Sequence, residues 1–401
     1  MTRRERVCQA LRHREADRLP LDLGGMDSTG ITGMAYNRLK AYLGLEGGET
    51  RIYDPYQQAA EVEPEVLELI GADVRPIFAG PREWQAGRLP DGSPCLLPRL
   101  WNPVTLADGS EVVRDRQDVI RAHRPASGFY FEPVNPPLAD VSSVAELEAH
   151  LGLLAGFDAP AYWDESYEEM GQRARRLFEE TDYALMGNFA VHLFAAGQLL
   201  RGYEQFLMDL MVGKPLAHCL LQHLTQTFLE RFDRFHQAVG DCVQIINVND
   251  DLGMETSLLL SPATYREMIK PYHARLYQHI KKTSGAYLFL HTDGSVYEVI
   301  PDLIEVGVDI LNPVQFTCKH MELSRLKREF GRDLVFWGGG ADTQRVLPFG
   351  TPEQVQAHVR ECLSVLAPGG GFVFNQVHNL QPDVPPENIM AMYAAVHEWQ
   401  Y

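Results

Sequence analysis

The sequence predicts an α/β protein built as a single, distorted (β/α)8 TIM barrel with an N-terminal extension and a small antiparallel hairpin insertion. The first observation is a regular rhythm from about residue 183 onward, where short apolar segments alternate with helical patterns. This rhythm is typical of a parallel sheet covered by helices. The second observation is the number of strand–helix units. Six of them occupy residues 183–401, and the N-terminal third can supply two more, which gives eight. We expect one domain over residues 1–401, with an insertion at about 84–165.

The first quarter of the chain has a mixed character. Leu19–Gly25 predicts a short strand that ends in a glycine turn, and helical patterns follow near residues 33–44 and 61–70. The pairs Asp91-Gly92 and Asp108-Gly109 then lie between short alternating segments, which predicts antiparallel hairpins. The stretch that follows, residues 125–165, is rich in Pro, Ala and Asp. It predicts a long surface excursion with one helix, Val144–Leu151.

Six apolar segments in the second half predict parallel strands: Tyr183–Asn188, Val243–Val248, Ala286–Leu290, Val308–Leu311, Leu334–Trp337 and Gly371–Phe374. Helix starts follow some of them, with Ser261 and Thr351 as N-caps that each precede a proline. An open, doubly wound sheet is the alternative architecture. The GxGxxG fingerprint of a dinucleotide-binding fold is absent, however, which favours the barrel.

Composition excludes several classes of partner. The 401 residues include 36 Lys+Arg and 54 Asp+Glu, which gives a formal charge of −18. Nucleic acids and anionic membranes select basic surfaces, so we expect neither as a partner. The six cysteines form no CxxC pair, and the N-terminus has no apolar core segment of a signal peptide. We therefore expect a cytoplasmic protein with reduced thiols.

Polar side chains gather where the predicted strands end, and this end of a (β/α)8 barrel carries the chemistry. His291 and Asp293 are two residues apart at such an end, so both side chains point to the same side. An imidazole and a carboxylate in this arrangement predict either a divalent metal site or a hydrogen-bonded acid–base pair. Capping of the next helix by Asp293 is the structural alternative.

Two other strand ends carry candidate groups. Asp250 and Asp251 form a carboxylate pair that could supply an acid or a base, although a capped turn explains the same pattern. His378 follows a strongly apolar strand and precedes Asn379, which indicates either a functional group or a partly buried histidine with local hydrogen bonds.

Three further residues are candidates for contact with a substrate. Asp54 lies among aromatic residues, next to Tyr53, so both could line a pocket; an Asp-Pro turn is the alternative. Gln315 ends the polar segment that follows another predicted strand.

Several segments of the chain resemble the uroporphyrinogen decarboxylase superfamily. This superfamily includes the heme-pathway decarboxylase and the corrinoid-dependent methyltransferases and O-demethylases. The matching segments are Arg3–Arg6, Asp17–Pro20, Asp250–Gly253, Leu260–Pro262, Lys270–His273, His291–Ser295, Ile300–Gln315, Phe336–Gly350 and Gly370–Ile389. The resemblance implies a single distorted (β/α)8 barrel, and its C-terminal segments look most like the methyltransferase and O-demethylase branch.

The resemblance also implies which substrates to expect. Decarboxylases of the superfamily hold substrate carboxylates with an Arg-Gln-Ala-Gly-Arg loop, whereas the matching stretch here, Leu23–Thr29, contains no arginine. Asp54 matches their catalytic aspartate approximately, and His378 matches their late histidine. Without the arginines, an octa-anionic tetrapyrrole would be poorly compensated. We therefore do not expect uroporphyrinogen as the substrate.

Zinc methyltransferases of the superfamily hold their ion with a His-x-Cys pair and a later cysteine. Here the pair is His291 and Asp293, and the position of the later cysteine falls at Val377. The resemblance implies a harder metal site formed by His291, Asp293 and either Glu255 or Gln315, with zinc as the expected ion. A barrel without metal is the alternative.

Together these observations predict a methyltransferase-like enzyme. It would move a methyl group between a small methoxy, methylthiol or methylamine compound and a corrinoid protein or thiol. We expect Asp251 or His378 to act as the acid and His291 and Asp293 to position substrate or metal. Substrate contacts are expected from Tyr53, Asp54, Asp250, Gln315 and Asn379. A decarboxylase of a smaller carboxylated substrate and a non-catalytic binding barrel are the alternatives, and a homodimer is one expected assembly.

Overall fold

Seven parallel strands form one curled sheet in the structure, which is a computed structural model that describes residues 1–45, 48–115, 117–157 and 162–401. Each strand pairs with the next one along the chain. The strands are β1 (Val74–Ile77), β2 (Ala184–Asn188), β3 (Ile245–Asn249), β4 (Tyr287–His291), β5 (Ile310–Asn312), β6 (Val335–Trp337) and β7 (Phe372–Val373). The six strands predicted after residue 183 are therefore confirmed.

The segment around Leu21 closes the sheet into a barrel. Next to β7, the amide of Asp22 donates to the carbonyl of Phe374 at 2.9 Å, and the amide of Phe374 donates to the carbonyl of Pro20 at 2.8 Å. On its other side, the amide of Asp73, just before β1, donates to the carbonyl of Leu21 at 2.7 Å. The segment thus joins both edges of the sheet and takes the eighth position, as a single bridge instead of the longer strand that the sequence predicts.

Helices follow the strands and cover the outside of the barrel. The predicted N-caps are confirmed, because the side chain of Ser261 accepts the amide of Thr264 and that of Thr351 accepts the amide of Gln354. The α-helices are Arg3–Leu11, Gly33–Tyr42, Pro64–Ile70, Val144–His150, Tyr167–Glu180, Leu193–Arg201, Tyr203–Met211, Lys214–Val239, Pro262–Thr264, Lys270–Ser284, Ile300–Val306, Leu323–Phe330, Val346–Phe349, Pro352–Leu366 and Pro386–His397, with a π-helical segment at Tyr265–Ile269. Among the described residues, no helix combines the length and the apolar character that crossing a membrane requires.

The N-terminal extension closes the bottom of the barrel. Helix Arg3–Leu11 contributes three buried residues to the cluster inside the barrel, which also contains Val74, Met186, Phe289, Ile310, Val335, Trp337 and Val373. A second and larger apolar cluster lies between the sheet and the outer helices. Helix Arg3–Leu11 covers one end of the packed interior. A substrate can therefore reach the barrel only at the other end, where the strands have their carboxyl ends.

The insertion contains more sheet than the sequence predicts. The first predicted hairpin is confirmed as the antiparallel pair Trp84–Arg88 and Pro94–Pro98. The second belongs to a four-stranded antiparallel sheet formed by Val104–Thr105, Glu111–Arg114, Ile120–Arg124 and Glu132–Pro133. The last strand, Glu132–Pro133, falls inside the predicted surface excursion. It is only two residues long and lies in a stretch rich in Pro, Ala and Asp, so the sequence pattern did not indicate a strand there. The helix predicted there is confirmed as Val144–His150.

Candidate functional site

Polar side chains from four separate elements of the chain meet at the carboxyl ends of the strands. His291 is the last residue of β4, and Asn312 is the last residue of β5. His378 lies shortly after β7, and Ser28 lies on the 3-10 turn Asp27–Thr29 that follows the Leu21 segment. The parallel sheet brings these distant positions to one mouth, as the sequence pattern indicated.

Two imidazoles and one carboxylate form the centre of this mouth. Oδ2 of Asp293 lies 3.7 Å from Nε2 of His291 and 3.8 Å from Nε2 of His378. The ligand atoms of the three residues all lie within 4.8 Å of one another, and His291 is buried. His291, Asp293 and His378 are called the His–Asp–His cluster below.

Both imidazoles are oriented by asparagine side chains. Nδ1 of His291 donates to Oδ1 of Asn312 at 2.7 Å, and Nδ1 of His378 donates to Oδ1 of Asn379 at 2.9 Å. Asn312 itself is fixed because its Nδ2 donates to the carbonyl of Trp337 at 2.9 Å. With each Nδ1 occupied, both Nε2 atoms are directed to the cluster, which is the arrangement that outer hydrogen-bond partners give to metal-ligating histidines.

Asp251 and Gln315 shape the loop that carries Asp293. Oδ1 of Asp251 accepts the amide of Asp293 at 3.0 Å and lies 4.0 Å from Nε2 of His291. The side chain of Gln315 accepts the amide of Gly294 at 2.7 Å. Gly294 has φ +87°, and a Cβ there would lie 2.5 Å from the backbone carbon of Gly253, so only glycine lets the two loops approach this closely.

The charges of the cluster favour a cation. Burial alone would lower the pKa of His291, but the carboxylates of Asp293 and Asp251 and the hydrogen bond to Asn312 raise it to about 10. Although burial opposes it, the imidazole of His291 lowers the pKa of Asp293 to about 2. Desolvation raises the pKa of Asp251. The site therefore holds excess negative charge that a proton or a metal ion can balance.

A second pair of carboxylates lies beside the cluster. Burial and the charge of Asp27 raise the pKa of Asp54 to about 7, although the amide of Tyr56 donates to Asp54 at 2.9 Å. The side chain of Gln57 donates to Asp27 at 3.1 Å and lies 3.5 Å from the side chain of Asn379. Asp54 thus holds its proton to a higher pH than an ordinary carboxyl group, and the amide side chains of Gln57 and Asn379 connect its neighbour Asp27 to His378.

The insertion reaches the same mouth. The hydroxyl of Tyr130 donates to Oδ1 of Asn379 at 3.3 Å, and the side chain of Gln381 donates to both groups. Tyr53 is buried with its ring 4.9 Å from that of Phe78. Oδ1 of Asn379 thus accepts hydrogen bonds from His378, Tyr130 and Gln381. Tyr53, next to Asp54 in the sequence, packs against Phe78.

The structure does not bring Asp250 and Glu255 into the cluster. Oδ1 of Asp250 accepts the amides of Phe194 and Ala195 at 2.7 and 2.9 Å, and its Oδ2 lies 2.7 Å from Nε2 of His273. Asp250 is 1 % exposed and accepts amides at the start of helix Leu193–Arg201. It is therefore not available for the substrate contact expected from the sequence. The side chain of Glu255 is exposed, and His378 takes the place predicted for it.

Sequence reasoning missed Ser28, although the signal was present. Ser28 follows the segment around Leu21, which is a strand end like the others, so the same rule would have selected it. It missed Tyr130 and Gln57 because nothing in their local sequence connects them to the barrel mouth.

The donor set of the cluster fits a divalent metal ion. Two imidazole nitrogens and one carboxylate oxygen are ligands that zinc and other first-row divalent ions accept. Both imidazoles already have the outer hydrogen bonds that such a site requires. A thiolate site of the kind that the superfamily resemblance suggests would need cysteines at positions where this chain has Asp293 and Val377.

The fold and the mouth define a (β/α)8 barrel with a polar, histidine- and carboxylate-based site at the carboxyl ends of its strands. Residues 174–399, more than half of the chain, match the family model described as uroporphyrinogen decarboxylase (URO-D). The chain belongs to this family, whose superfamily consists of enzymes such as decarboxylases and methyltransferases.

Known proteins agree with this assignment. The uroporphyrinogen decarboxylase of Legionella pneumophila (strain Lens) is 27% identical over 201 residues, or 49% of this chain and 52% of the relative. That of Synechococcus sp. (strain CC9605) is 30% identical over 182 residues, or 45% of this chain and 47% of the relative. Each match thus spans about half the length of the curated relative. A solved methyltransferase from Methanosarcina mazei shares the fold, with a TM-score of 0.61, 16% identity and 99% coverage of both chains.

Proposed function

We propose that this chain is a metal-dependent methyltransferase of the family. It moves a methyl group between a small methylated compound, with a methoxy, methylthiol or methylamine group, and a corrinoid protein or thiol. The observation that carries the proposal is the His–Asp–His cluster at the barrel mouth, where two oriented imidazoles and a carboxylate converge. The likeness in fold to the Methanosarcina mazei methyltransferase is consistent with it.

The partners of the mouth carboxylates argue against a heavily carboxylated substrate. Among the described residues, the hydrogen bonds and ion pairs of Asp27, Asp54, Asp251 and Asp293 lead to backbone amides, imidazoles, a tyrosine hydroxyl and a glutamine, and none leads to an arginine or lysine. A substrate with many carboxylates needs guanidinium or ammonium partners. The mouth therefore suits a neutral or cationic methyl compound better.

Each residue of the site has a role in this proposal. His291, Asp293 and His378 would hold a divalent ion, which when bound supplies Lewis acidity toward the heteroatom that carries the methyl group. When the methyl group leaves, the bonding electrons stay on that heteroatom, which then needs a proton. The pKa of Asp54 is raised to about 7 and that of Asp251 is raised as well, so these carboxyl groups would supply the proton. Because His378 faces Asp293, it serves as a ligand and not as the acid.

Methyl transfer can be measured with cobalamin as acceptor. The purified, zinc-loaded chain is incubated with reduced cobalamin and a panel of methoxy-aromatics, methylthiols and methylamines, and methylcobalamin is followed by its absorbance. We expect methylcobalamin with at least one substrate class and a loss of at least about 100-fold in His291→Ala. His279→Ala is the control, because His279 pairs with Asp233 at the surface. No transfer across the panel contradicts the proposal.

A decarboxylase is the second candidate, and one observation favours it. Asp54 is half-buried and has a raised pKa at the approximate position of the family's catalytic aspartate, and the relatives from Legionella pneumophila and Synechococcus are decarboxylases. Incubation with uroporphyrinogen and with smaller carboxylated pyrroles, followed by chromatography of the products, tests it. Products that have lost carbon dioxide would favour this candidate over methyl transfer. A chain that binds no metal and is inert in both assays would instead be a binding barrel.

A further inference from the structure

A fourth donor atom faces the His–Asp–His cluster. The hydroxyl oxygen of Ser28 lies 3.3 Å from Nε2 of His291, the same nitrogen that faces Asp293. The other ring nitrogen of His291 is occupied by Asn312, so this contact involves the atom that is directed to an ion. Ser28 is 5% exposed, which places its hydroxyl inside the mouth.

The distances match the edges of a tetrahedral ligand shell. Ligand bonds of about 2.0–2.1 Å around a tetrahedral ion place neighbouring donor atoms about 3.4 Å apart. The separation between Ser28 and His291 is 3.3 Å, and Asp293 lies 3.7 Å from His291 and 3.8 Å from His378. Asp251 is less well placed, since it lies 4.0 Å from His291 and half of its side chain is exposed at the rim.

Buried amide side chains hold the turn that carries Ser28. The side chain of Asn375 donates to the carbonyl of Thr29 at 3.1 Å, and that of Gln376 donates to the carbonyls of Thr29 and Gly30 at 3.2 and 3.3 Å. Asn375 and Gln376 are fully buried and directly precede the loop with His378. The position of Ser28 relative to the cluster is therefore built into the barrel and does not depend on a surface loop.

We propose that the hydroxyl oxygen of Ser28 is the fourth protein ligand of the divalent ion. The donor set then consists of two imidazoles, one carboxylate and one hydroxyl oxygen. Such a set of nitrogen and oxygen donors suits zinc, cobalt(II) or manganese(II) better than copper(I), which selects thiolates. The inference rests on the metal site of the proposed function, but it concerns binding alone and does not require methyl transfer.

Equilibrium binding of zinc tests the proposal on the full chain. Competition with a chromophoric chelator should show that Ser28→Ala weakens zinc binding by at least about 10-fold, which is the smallest loss usual even for an outer-shell partner. Ser110→Ala is the matched control, because Ser110 is also a buried serine but donates to Asp108 in the insertion. Its affinity should stay that of the parent chain, and thermal melts confirm that both variants fold.

A spectroscopic test distinguishes a ligand from a hydrogen-bonding neighbour. Ser28→Cys, loaded with cobalt(II), should show a thiolate-to-cobalt charge-transfer band in the near ultraviolet, since a metal-bound thiol is deprotonated. Ser110→Cys should show no such band. Absence of a new band in cobalt-loaded Ser28→Cys would overturn the proposal, whatever the zinc affinity of Ser28→Ala, and leave Ser28 as a hydrogen-bonding neighbour of His291. Because neither measurement uses a methyl donor, a failed methyl-transfer assay would not affect the result.

Discussion

At the scale of single residues, the site depends on side chains that fix the direction of other side chains. Asn312 and Asn379 accept from the Nδ1 atoms of the two histidines and leave both Nε2 atoms for the cluster. The sequence shows the histidines as strand-end residues but does not show which nitrogen each presents. That choice depends on partners from neighbouring strands.

Removing the partner of His291 should weaken the proposed metal site without removing one of its proposed ligands. In Asn312→Ala, the imidazole loses the acceptor that fixes its orientation, so we expect zinc affinity to fall by about 10- to 100-fold. Chelator competition measures the change. Asn312→Asp keeps an oxygen at the same place and should recover most of the affinity. Parent-like affinity in Asn312→Ala would show that Asn312 does not orient the histidine.

Asp54 should make stability depend on pH in a defined direction. Burial raises its pKa to about 7, so the folded chain keeps a proton that the unfolded chain releases above about pH 4. The folded state therefore loses stability as pH rises from about 4 to 7 and changes little through this group above that range. In Asp54→Asn this loss is absent, so the melting temperature of the variant should rise relative to that of the parent as pH increases from about 4 to 7. A constant difference over this range would contradict the raised pKa.

At the scale of elements, Asp250 supports a helix and a neighbouring histidine instead of a substrate. Its carboxylate accepts two amides at the start of helix Leu193–Arg201 and pairs with buried His273. Adjacent residues at a strand end point to opposite sides, so only one of Asp250 and Asp251 can face the mouth. The sequence does not show which of the two it is. The fold directs one carboxylate into the protein and the other to the mouth.

Replacement of Asp250 should therefore destabilise the fold. Asp250→Ala leaves two helix amides and His273 without their partner, so we expect a loss of about 3–5 kcal/mol in the free energy of unfolding. Urea denaturation measures it. Asp233→Ala is the control, because Asp233 forms an exposed pair with His279 that should contribute at most about 1 kcal/mol. Equal effects of the two variants would contradict the structural role of Asp250.

At the scale of the whole molecule, barrel closure depends on one short contact region. Asp73, just before β1, accepts from Arg6 at 2.7 Å and from Arg18 at 2.8 Å, and its carboxylate also accepts the amide of Leu21 at 2.9 Å. The N-terminal helix, the closing segment and the first strand are thus joined by a single buried side chain.

Loss of this side chain should weaken the closure of the barrel. In Asp73→Ala, the amide of Leu21 and the buried guanidinium of Arg6 lose an acceptor, and we expect a destabilisation of about 3–5 kcal/mol in urea denaturation. Asp182→Ala is the comparison, since Asp182 pairs with Arg3 at a more exposed position and should cost about 1 kcal/mol or less. A loss in Asp73→Ala no larger than this would show that closure does not depend on Asp73.

The fold could be predicted further than the site. Strands β2 to β7 follow from apolar runs bounded by polar ends, because that local pattern is typical of strands buried in a parallel sheet. The closing segment at Leu21 and the sheet of the insertion are short, and their pairing depends on distant partners. In the site, His291 and Asp293 could be paired from their spacing, whereas the contribution of His378 and Ser28 depends on how the barrel closes.

The central claim is that the barrel mouth binds one divalent ion through His291, Asp293 and His378. The most direct measurement is elemental analysis of the chain after zinc loading and removal of free metal, with His378→Ala and the surface control His279→Ala in parallel. We predict one zinc per chain in the parent and in His279→Ala, and a large loss in His378→Ala. Absence of bound zinc in the parent, or full retention in His378→Ala, would contradict the claim.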